Sequence, residues 1–209
     1  MPRIILISLA IPVFLIAASA SAEMKDARFQ NRHGVRIATS DSDDSFYVTR
    51  AGALVDYSFP RLNKIIKILP FFEYQHNLDN GAWWRKEAGV EVGSSFFNDC
   101  FYWGASFQHI WQQEENYAVE ANDETSEWES RFVITPPIKW WLFKDKLTLK
   151  LFDEYTYDFE RGQPTINEVG VSFDWQISEK VKMPLGWRHI DRIHDFDSDL
   201  MEVSVLFSF

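Results

Sequence analysis

Apolar and polar residues alternate along most of the chain. From position 169 to position 177, every odd-numbered residue is apolar, and the residues between them are polar or glycine. Residues 101–113 show a similar alternation of aromatic with small or polar side chains. Successive side chains of a β-strand point to opposite faces, so these segments are predicted to be strands with one apolar face and one polar face.

Ten segments of this type are separated by turn-forming residues. The predicted strands cover residues 34–40, 46–59, 66–77, 83–96, 101–113, 127–136, 147–158, 167–177, 183–192 and 200–209. The first is the weakest, since Val35, Ile37 and Thr39 give little alternation. Eight strands behind an irregular amino-terminal region are therefore the alternative. Alternation alone fits a β-sandwich as well as a barrel, so other features must decide between these folds.

The carboxy-terminal strand carries such a feature. Phe209, Phe207 and Val205 are apolar at alternate positions, whereas Ser204 and Glu202 are polar. This ending resembles the closing strand of Gram-negative outer-membrane β-barrels, in which a terminal Phe with apolar residues at alternate positions is read by the insertion machinery.

The resemblance implies a fold, a location and a set of partners. The fold is an all-β, closed antiparallel transmembrane barrel of ten strands, with eight as the alternative and both termini periplasmic. Phe209, Phe207 and Val205 would form the assembly signal. The expected partners are outer-membrane lipid, lipopolysaccharide and the outer-membrane assembly machinery, and the oligomeric state stays open.

The amino-terminus has the pattern of an export signal. Arg3 is basic, residues 4–18 are mainly apolar, and 20–22 are small residues of the kind that precede a cleavage site. The apolar run is shorter than the roughly 20 residues of a spanning helix. We therefore expect residues 1–22 to be a cleaved signal peptide and residues 23–209 to form a single barrel domain.

Composition agrees with a membrane barrel. The mean hydropathy is −0.25, yet 16% of the residues are aromatic. A polar average with many aromatic residues is typical of a barrel that has a lipid-facing band, aromatic girdles and a polar interior. The net charge of −10 argues against nucleic acid as a partner. Cys100 is the one cysteine, so an internal disulfide is excluded.

The face opposite the apolar stripe carries many charges. The predicted lumen charge network comprises Arg50, Asp56, Glu73, Arg85, Glu87, Glu91, Arg131, Lys150, Glu154, Glu168, Asp174, Arg188 and Glu202, with Arg36 and Glu129 pointing the same way. Buried charges are tolerated when they are paired, so the set predicts salt bridges that fill a narrow interior. A barrel of structural type and a narrow, mildly cation-selective channel are both consistent with it.

The connections between strands divide by charge. Those at one predicted end are acidic, and residues 112–130 alone carry seven carboxylates and no Lys or Arg. Those at the other end are basic, including 60–64 and 136–146. Solvated extracellular loops explain the acidic end. The alternative is an acidic rim that loosely binds a divalent cation, since calcium prefers several oxygen ligands. No other cofactor or metal is predicted.

Histidine and carboxylates crowd together in residues 186–199. Here the chain resembles the lipid A 3-O-deacylases, small barrels with an Arg-His pair on the penultimate strand, a Ser two residues later and an acid on the last strand. His189 matches the His and Asp199 stands near the acid, but Asp191 occupies the position of the nucleophile. An outer-leaflet lipid-modifying enzyme with a rim site around His189 is therefore the alternative function, and no catalytic residue is assigned.

Overall fold

The computed structural model describes residues 22–40, 44–59, 64–79, 81, 83–112, 124–138, 146–193 and 197–209. The predicted signal peptide lies almost entirely outside the described residues. So do parts of the predicted acidic connections, at 41–43, 113–123 and 194–196, and parts of the basic ones, at 60–63 and 139–145. The described residues contain no helix of the length and apolarity needed to cross a bilayer.

Ten strands make up the described structure. They are β1 (Glu23–Ala38), β2 (Phe46–Phe59), β3 (Lys64–Asn77), β4 (Trp83–Phe96), β5 (Phe101–Gln112), β6 (Glu124–Ile134), β7 (Leu147–Asp158), β8 (Gln163–Ser178), β9 (Val181–Arg192) and β10 (Ser198–Ser208). Each strand pairs antiparallel with its neighbours in sequence, and β1 pairs with β10, so the sheet closes into a barrel. The predicted closed ten-stranded antiparallel barrel is confirmed, and the eight-stranded alternative is set aside.

The first strand is the main correction to the predicted boundaries. It covers Glu23–Ala38 instead of residues 34–40. Residues 23–28 are exposed or half-buried and are paired with β2, while the pairing with β10 begins only at Gln30. Backbone hydrogen bonds to β2 alone hold this segment as a strand. Its sequence therefore needs no alternation of apolar and polar residues, and shows none.

The seam between β1 and β10 extends to the last residue. The backbone N–H of Phe29 donates to the carbonyl of Phe209 at 3.1 Å, and the N–H of Phe209 donates to the carbonyl of Phe29 at 2.9 Å. Both backbone groups of Phe209 are therefore satisfied by β1. In a lipid environment such pairing is required of every backbone polar group, and a closed barrel provides it.

The outer face of the barrel is an apolar band. Its exposed side chains include Phe72, Val90, Phe107, Phe132, Leu151, Val169, Trp187, Met201 and Val203. On β5 the band runs from Phe101 to Trp111, which corresponds to a height of about 25 Å for strands tilted by about 40°. This matches the apolar thickness that outer-membrane barrels present to lipid.

One carboxylate interrupts the apolar band. Asp153 lies in the middle of β7, is exposed, and has the apolar residues Phe132 and Val169 as its partners on the neighbouring strands. Its side chain points away from the lumen, since Phe152 and Glu154 on either side line internal cavities. A charge at this position faces the region that lipid would occupy.

The two ends of the barrel differ in their connections. We call the end that holds Glu23 and Phe209 the terminal end; the turns 97–100 and 179–180 lie there. We call the opposite end, which includes the turn 159–162 between β7 and β8, the loop end. These names describe the barrel alone, and the periplasmic placement of the termini stays a prediction.

Candidate functional site: the charged lumen

Glu202 on β10 is the centre of an ion-pair cluster in the lumen. Arg188 Nη2 donates to its Oε2 at 2.5 Å, Arg36 Nε lies 3.5 Å from the same oxygen, and Arg32 contacts its Oε1. Arg36 and Glu202 are direct cross-strand partners, so the sheet register itself brings them together. Val203, the next residue, is exposed on the outer face, which gives β10 the expected orientation.

Further ion pairs surround this cluster. Arg188 also donates to Glu168 Oε2 at 2.6 Å, and Arg131 Nε lies 3.3 Å from Glu154 Oε2. Cross-strand register again explains the proximity, since Arg131 pairs directly with Glu154. The cluster therefore reaches from β1 and β10 across to β6, β7 and β8.

A second group of pairs lies on β2 to β6. Arg50 Nη1 is 3.8 Å from Glu73 Oε2 and its Nη2 is 3.3 Å from Glu91 Oε2. Arg85 contacts Glu87 and reaches Glu127 Oε2 at 3.2 Å. Each guanidinium thus bridges two carboxylates, which reduces the cost of burying both.

Gln75 has a bridging role that sequence reasoning missed. Glu73 and Glu87 are direct cross-strand partners, so two carboxylates face one another. Gln75 Nε2 donates to Glu73 Oε1 at 2.9 Å and to Glu87 Oε1 at 3.4 Å. The amide separates two like charges that the register forces together. Gln75 is two residues after Glu73 on β3, so the two side chains share a face. Alternation along the strand could therefore have placed Gln75 in the lumen.

A third group lies near the terminal end. Lys150 Nζ is 2.6 Å from Asp174 Oδ2, and Lys182 Nζ is 3.7 Å from the same oxygen. Asp56 has its nearest cation in Arg28, at 3.9 Å. Each residue of the predicted charge network thus lies on the lumen side and belongs to an ion pair in one of these three groups.

Aromatic side chains support the arginines. The Arg50 guanidinium lies 3.6 Å from the ring centroid of Phe71, while those of Arg131 and Arg188 lie 5.1 and 5.4 Å from the ring of Phe152. Gly170 makes room for Phe152, since a Cβ at that glycine would come within 2.4 Å of the ring. Cation–π contacts of this kind stabilise guanidinium groups beside the rings of the lumen.

A small apolar layer lies in the lumen near the loop end, on β2 and β4. Phe46 and Trp84 stack with ring centroids 4.5 Å apart, and Val48 completes a buried cluster with them. Trp84 occupies a β-bulge: Gln75 pairs with Arg85 and His76 with Trp83, so Trp84 is the extra residue. The bulge lets two consecutive residues, Trp84 and Arg85, face inward. Sequence reasoning missed this layer because alternation assigns neighbouring residues to opposite faces.

The described residues of the barrel enclose a larger and a smaller cavity. The larger, about 530 Å³, extends from the middle of the lumen to the terminal end, where Asp99 and Thr135 line it. The smaller, about 100 Å³, lies among the arginines and the apolar layer near the loop end. Arg32, Arg131 and Arg188 line both cavities, so they form the partition between them.

The predicted rim residues lie on the outer surface near the loop end. His189 Nδ1 is 3.1 Å from Asp199 Oδ1, so these two side chains meet across the β9–β10 pair. Asp191 is exposed on the same face of β9. Ser198, the neighbouring hydroxyl, points into the lumen, where Arg192 Nη1 donates to its Oγ at 2.5 Å. The His–Asp pair is present, but the serine beside it faces away from it.

The predicted assembly signal lies on the outer face of the barrel. The rings of Phe207 and Phe209 stack at 6.4 Å on the outer face, and Val205 shares their parity. Among the described residues, no group of three or more His, Cys, Asp or Glu side chains could hold a metal ion. The assembly role of the aromatic terminus and the cation at the acidic rim both stay predictions.

Comparison with known proteins supports the architecture. No protein-family model matches the chain, and no curated protein sequence matches it. Among solved structures, an outer membrane channel from Pseudomonas putida F1 is similar with a TM-score of 0.51 and 7% identity, covering 90% of this chain and 98% of that one. The NanC porin is similar with a TM-score of 0.44 and 9% identity, covering 87% of this chain and 100% of that one.

A third solved structure is the amino-terminal β-barrel domain of Pseudomonas aeruginosa OprF. It has a TM-score of 0.35 and 8% identity, and covers 90% of this chain and all of that one. At 7% identity, the likeness to the Pseudomonas putida F1 channel concerns the fold alone. The closed sheet, the apolar outer band and the charged lumen together give the chain the fold of the outer-membrane β-barrel proteins.

Proposed function

We propose that this barrel is a narrow channel of the outer membrane, gated by the ion pairs of its lumen. The observation that carries the proposal is the pair of cavities on either side of Arg32, Arg131 and Arg188. A barrel of purely structural type would be expected to fill its interior with side chains, as barrels of about eight strands do. Here space remains on both sides of a thin polar partition.

The partition consists of groups that can move. Arg131 is held by one ion pair to Glu154 and by its position over Phe152. Long guanidinium side chains change rotamer without altering the sheet, so rearrangement of a few ion pairs would join the cavities. The apolar layer of Phe46, Val48 and Trp84 supplies a second constriction near the loop end, where narrow apolar passages close by losing water.

Planar-bilayer conductance of the refolded full chain tests the proposal. We expect small, discrete current steps from the native protein and larger steps from Arg131→Ala, which removes part of the partition. Lys86→Ala is the matched control, because Lys86 lies over the ring of Trp83, an outer-face residue, at 4.0 Å. It should leave the current steps unchanged. A native barrel that carries no current would make the protein a structural barrel, whatever the variants do.

The same proposal includes a location and an orientation. We place the barrel in the outer membrane with the terminal end toward the periplasm, in contact with lipopolysaccharide and inserted by the assembly machinery that reads Phe209. Two features support it: the apolar band of about 25 Å and the charge difference between the two sets of connections. Protease accessibility of a tag inserted in the turn 159–162, measured on intact cells, tests the orientation.

The rim site around His189 supports no second proposal. Acyl transfer by a histidine-activated hydroxyl needs the hydroxyl within hydrogen-bonding reach of the ring. The ring of His189 is paired with Asp199, and the position two residues later holds Asp191.

A further inference from the structure

The larger cavity has a cationic wall. Three lysines on separate strands point into it: Lys67 on β3, Lys150 on β7 and Lys182 on β9. Lys150 and Lys182 share a single carboxylate, Asp174. The cavity is lined by three lysines and three arginines but by four acids, Glu91, Asp99, Asp174 and Glu202, so its wall carries more positive than negative groups. The charges of Lys67 and Lys150 both repel that of Lys182. A further negative charge in this cavity would relieve that repulsion.

Lys67 is the cation with the least compensation. Asp56 is its direct cross-strand partner on β2, but among the described residues no carboxylate lies within 4.0 Å of its ammonium group. The ring of Tyr102 lies 5.9 Å from that group. The nearby acid Glu91 is already engaged, since it accepts a hydrogen bond from the Tyr102 hydroxyl at 2.7 Å and pairs with Arg50. Lys67 therefore offers its charge to the cavity.

Tyr102 is fixed in place beside this lysine. Gly93 and Gly104 lie under its ring, and a Cβ on Gly93 would come within 2.1 Å of the phenol oxygen. Two glycines on adjacent strands are thus used to accommodate one aromatic ring inside the lumen. The ring forms a rigid wall of the cavity rather than a side chain that fills it.

The remaining wall is apolar. Leu54, Leu69, Val133 and Leu206 line the same cavity, together with Phe152. Pockets that bind small molecules combine mostly apolar walls with a few placed polar groups, and their volumes begin near 300 Å³. At about 530 Å³ this cavity falls in that range. The lysines favour a ligand with a negative charge, and the apolar wall favours a ligand with an apolar part.

We propose that this cavity is a binding vestibule for a small organic anion, with Lys67, Lys150 and Lys182 contacting its carboxylate or phosphate group and the leucine-rich wall covering its apolar part. The exposed Asp99 at the mouth and the partition of arginines at the other end bound the site. The proposal refines the channel function, because such a site would select the solutes that reach the partition.

The refolded full chain in zwitterionic detergent allows a direct binding test. Its lysines are labelled by ¹³C-dimethylation, which keeps their charge, and the NMR signals are followed during titration with benzoate. Benzamide, the uncharged counterpart, and inorganic phosphate are titrated separately. We expect benzoate to shift the signals of Lys67, Lys150 and Lys182 in a saturable manner, phosphate to shift them more weakly, and benzamide to leave them unchanged.

Two substitutions move the affinity in opposite directions. Lys67→Gln removes a cation that makes no ion pair within 4.0 Å among the described residues, and should weaken benzoate binding by about fivefold. Asp174→Asn removes the internal competitor for two lysines and should strengthen it. Lys86→Gln removes a cation from the outer face and should have no effect. If Asp174→Asn does not fold, the difference in benzoate affinity between Lys67→Gln and Lys86→Gln still tests the proposal.

Three results would overturn the vestibule: no saturable shift with benzoate, equal shifts with benzamide, or equal losses from Lys67→Gln and Lys86→Gln. The measurement needs no current through the barrel. A protein that binds benzoate but does not conduct would therefore keep the site and reject the channel, and one that conducts without binding would do the reverse.

Discussion

Arg188 and Glu202 face one another across the β9–β10 pair, with Nη2 and Oε2 2.5 Å apart, and both side chains are buried in the lumen. Arg32 and Arg36 depend on the same carboxylate. Glu202 is thus shared by three guanidinium groups, of which Arg188 also pairs with Glu168.

Glu202→Gln should for this reason be strongly destabilising. It leaves Arg32 and Arg36 beside a neutral amide and Arg188 with Glu168 alone, and removing one partner of a buried ion pair typically costs about 3–5 kcal/mol. Urea unfolding of the refolded barrel, followed by its heat-modifiable migration on gels, measures the change. Glu179→Gln, in the exposed turn after β8, is the control and should have little effect. Equal stability of the two variants would mean that the arginines find other partners.

Asp153 should destabilise the barrel in a membrane. It lies on the outer face between Phe132 and Val169, and charged residues on the lipid-facing surface cost free energy that depends on depth. We expect Asp153→Val to raise the free energy of unfolding by about 1 kcal/mol in lipid vesicles. The reverse exchange on the next strand, Val171→Arg, should lower it by roughly 2–4 kcal/mol. A loss of stability in Asp153→Val would show that this carboxylate does not face the apolar part of the bilayer.

Glu160 gives the loop end a pH dependence. This residue lies in the turn after β7, outside the membrane-spanning strands, and its Oε2 accepts from the backbone N–H of Ser126 at 2.6 Å and from the Thr125 hydroxyl at 2.8 Å. These hydrogen bonds, that from Ser126 first, lower the pKa of Glu160 below its ordinary value of 4.5. Its contribution to stability is complete above that value and is lost as the pH falls through the lowered pKa.

Hydrogen exchange of the Ser126 amide detects this dependence. The protection factor should be constant from neutral pH down to about 4.5 and decline at lower pH. Glu160→Gln should show a lower protection factor with no such decline. The same decline in both proteins would assign it to another group.

The aromatic terminus should matter for assembly more than its exposure suggests. Phe209 is 66% exposed, and Phe97, in the turn after β4, is 82% exposed. Phe209→Ala should sharply reduce the folded barrel recovered in the outer membrane, since this ring is the predicted assembly signal. Phe97→Ala removes an equally accessible ring at the same end and should be tolerated. Normal folded levels of Phe209→Ala would remove the basis for the assembly signal.

The extent to which the sequence predicts the strands varies along the chain. The bounds of β2, β4 and β7 coincide with residues 46–59, 83–96 and 147–158 of the prediction. Along most of these strands an apolar outer face and a polar lumen face alternate, although Phe46, Val48 and Asp153 depart from the pattern. β1 was predicted far too short because its first residues bind only to β2 and face no apolar surroundings.

The sequence likewise predicts some features of the lumen and not others. Its charged residues could be identified from parity alone, because alternation along each strand places them on the face opposite the apolar stripe. The register then sets Arg36, Arg50 and Arg131 directly opposite acids. The apolar layer could not be identified in this way, since Trp84 faces inward only through a bulge that has no mark in the sequence. The partition could not be predicted from the sequence either. Arg32, Arg131 and Arg188 lie on β1, β6 and β9, and only closure of the sheet brings them together.

The seam between β1 and β10 has a consequence for folding kinetics. Arg32 and Ser204, which are hydrogen-bonded across it, are 172 positions apart in the chain. The other strand pairs join neighbours in sequence and can form as local hairpins, whereas the seam requires the whole chain to be in place. Contacts of such long sequence separation form slowly because the loop-closure entropy is lost before they form. Closure is thus expected to be the rate-limiting step, and an open sheet with two unpaired edges the last intermediate.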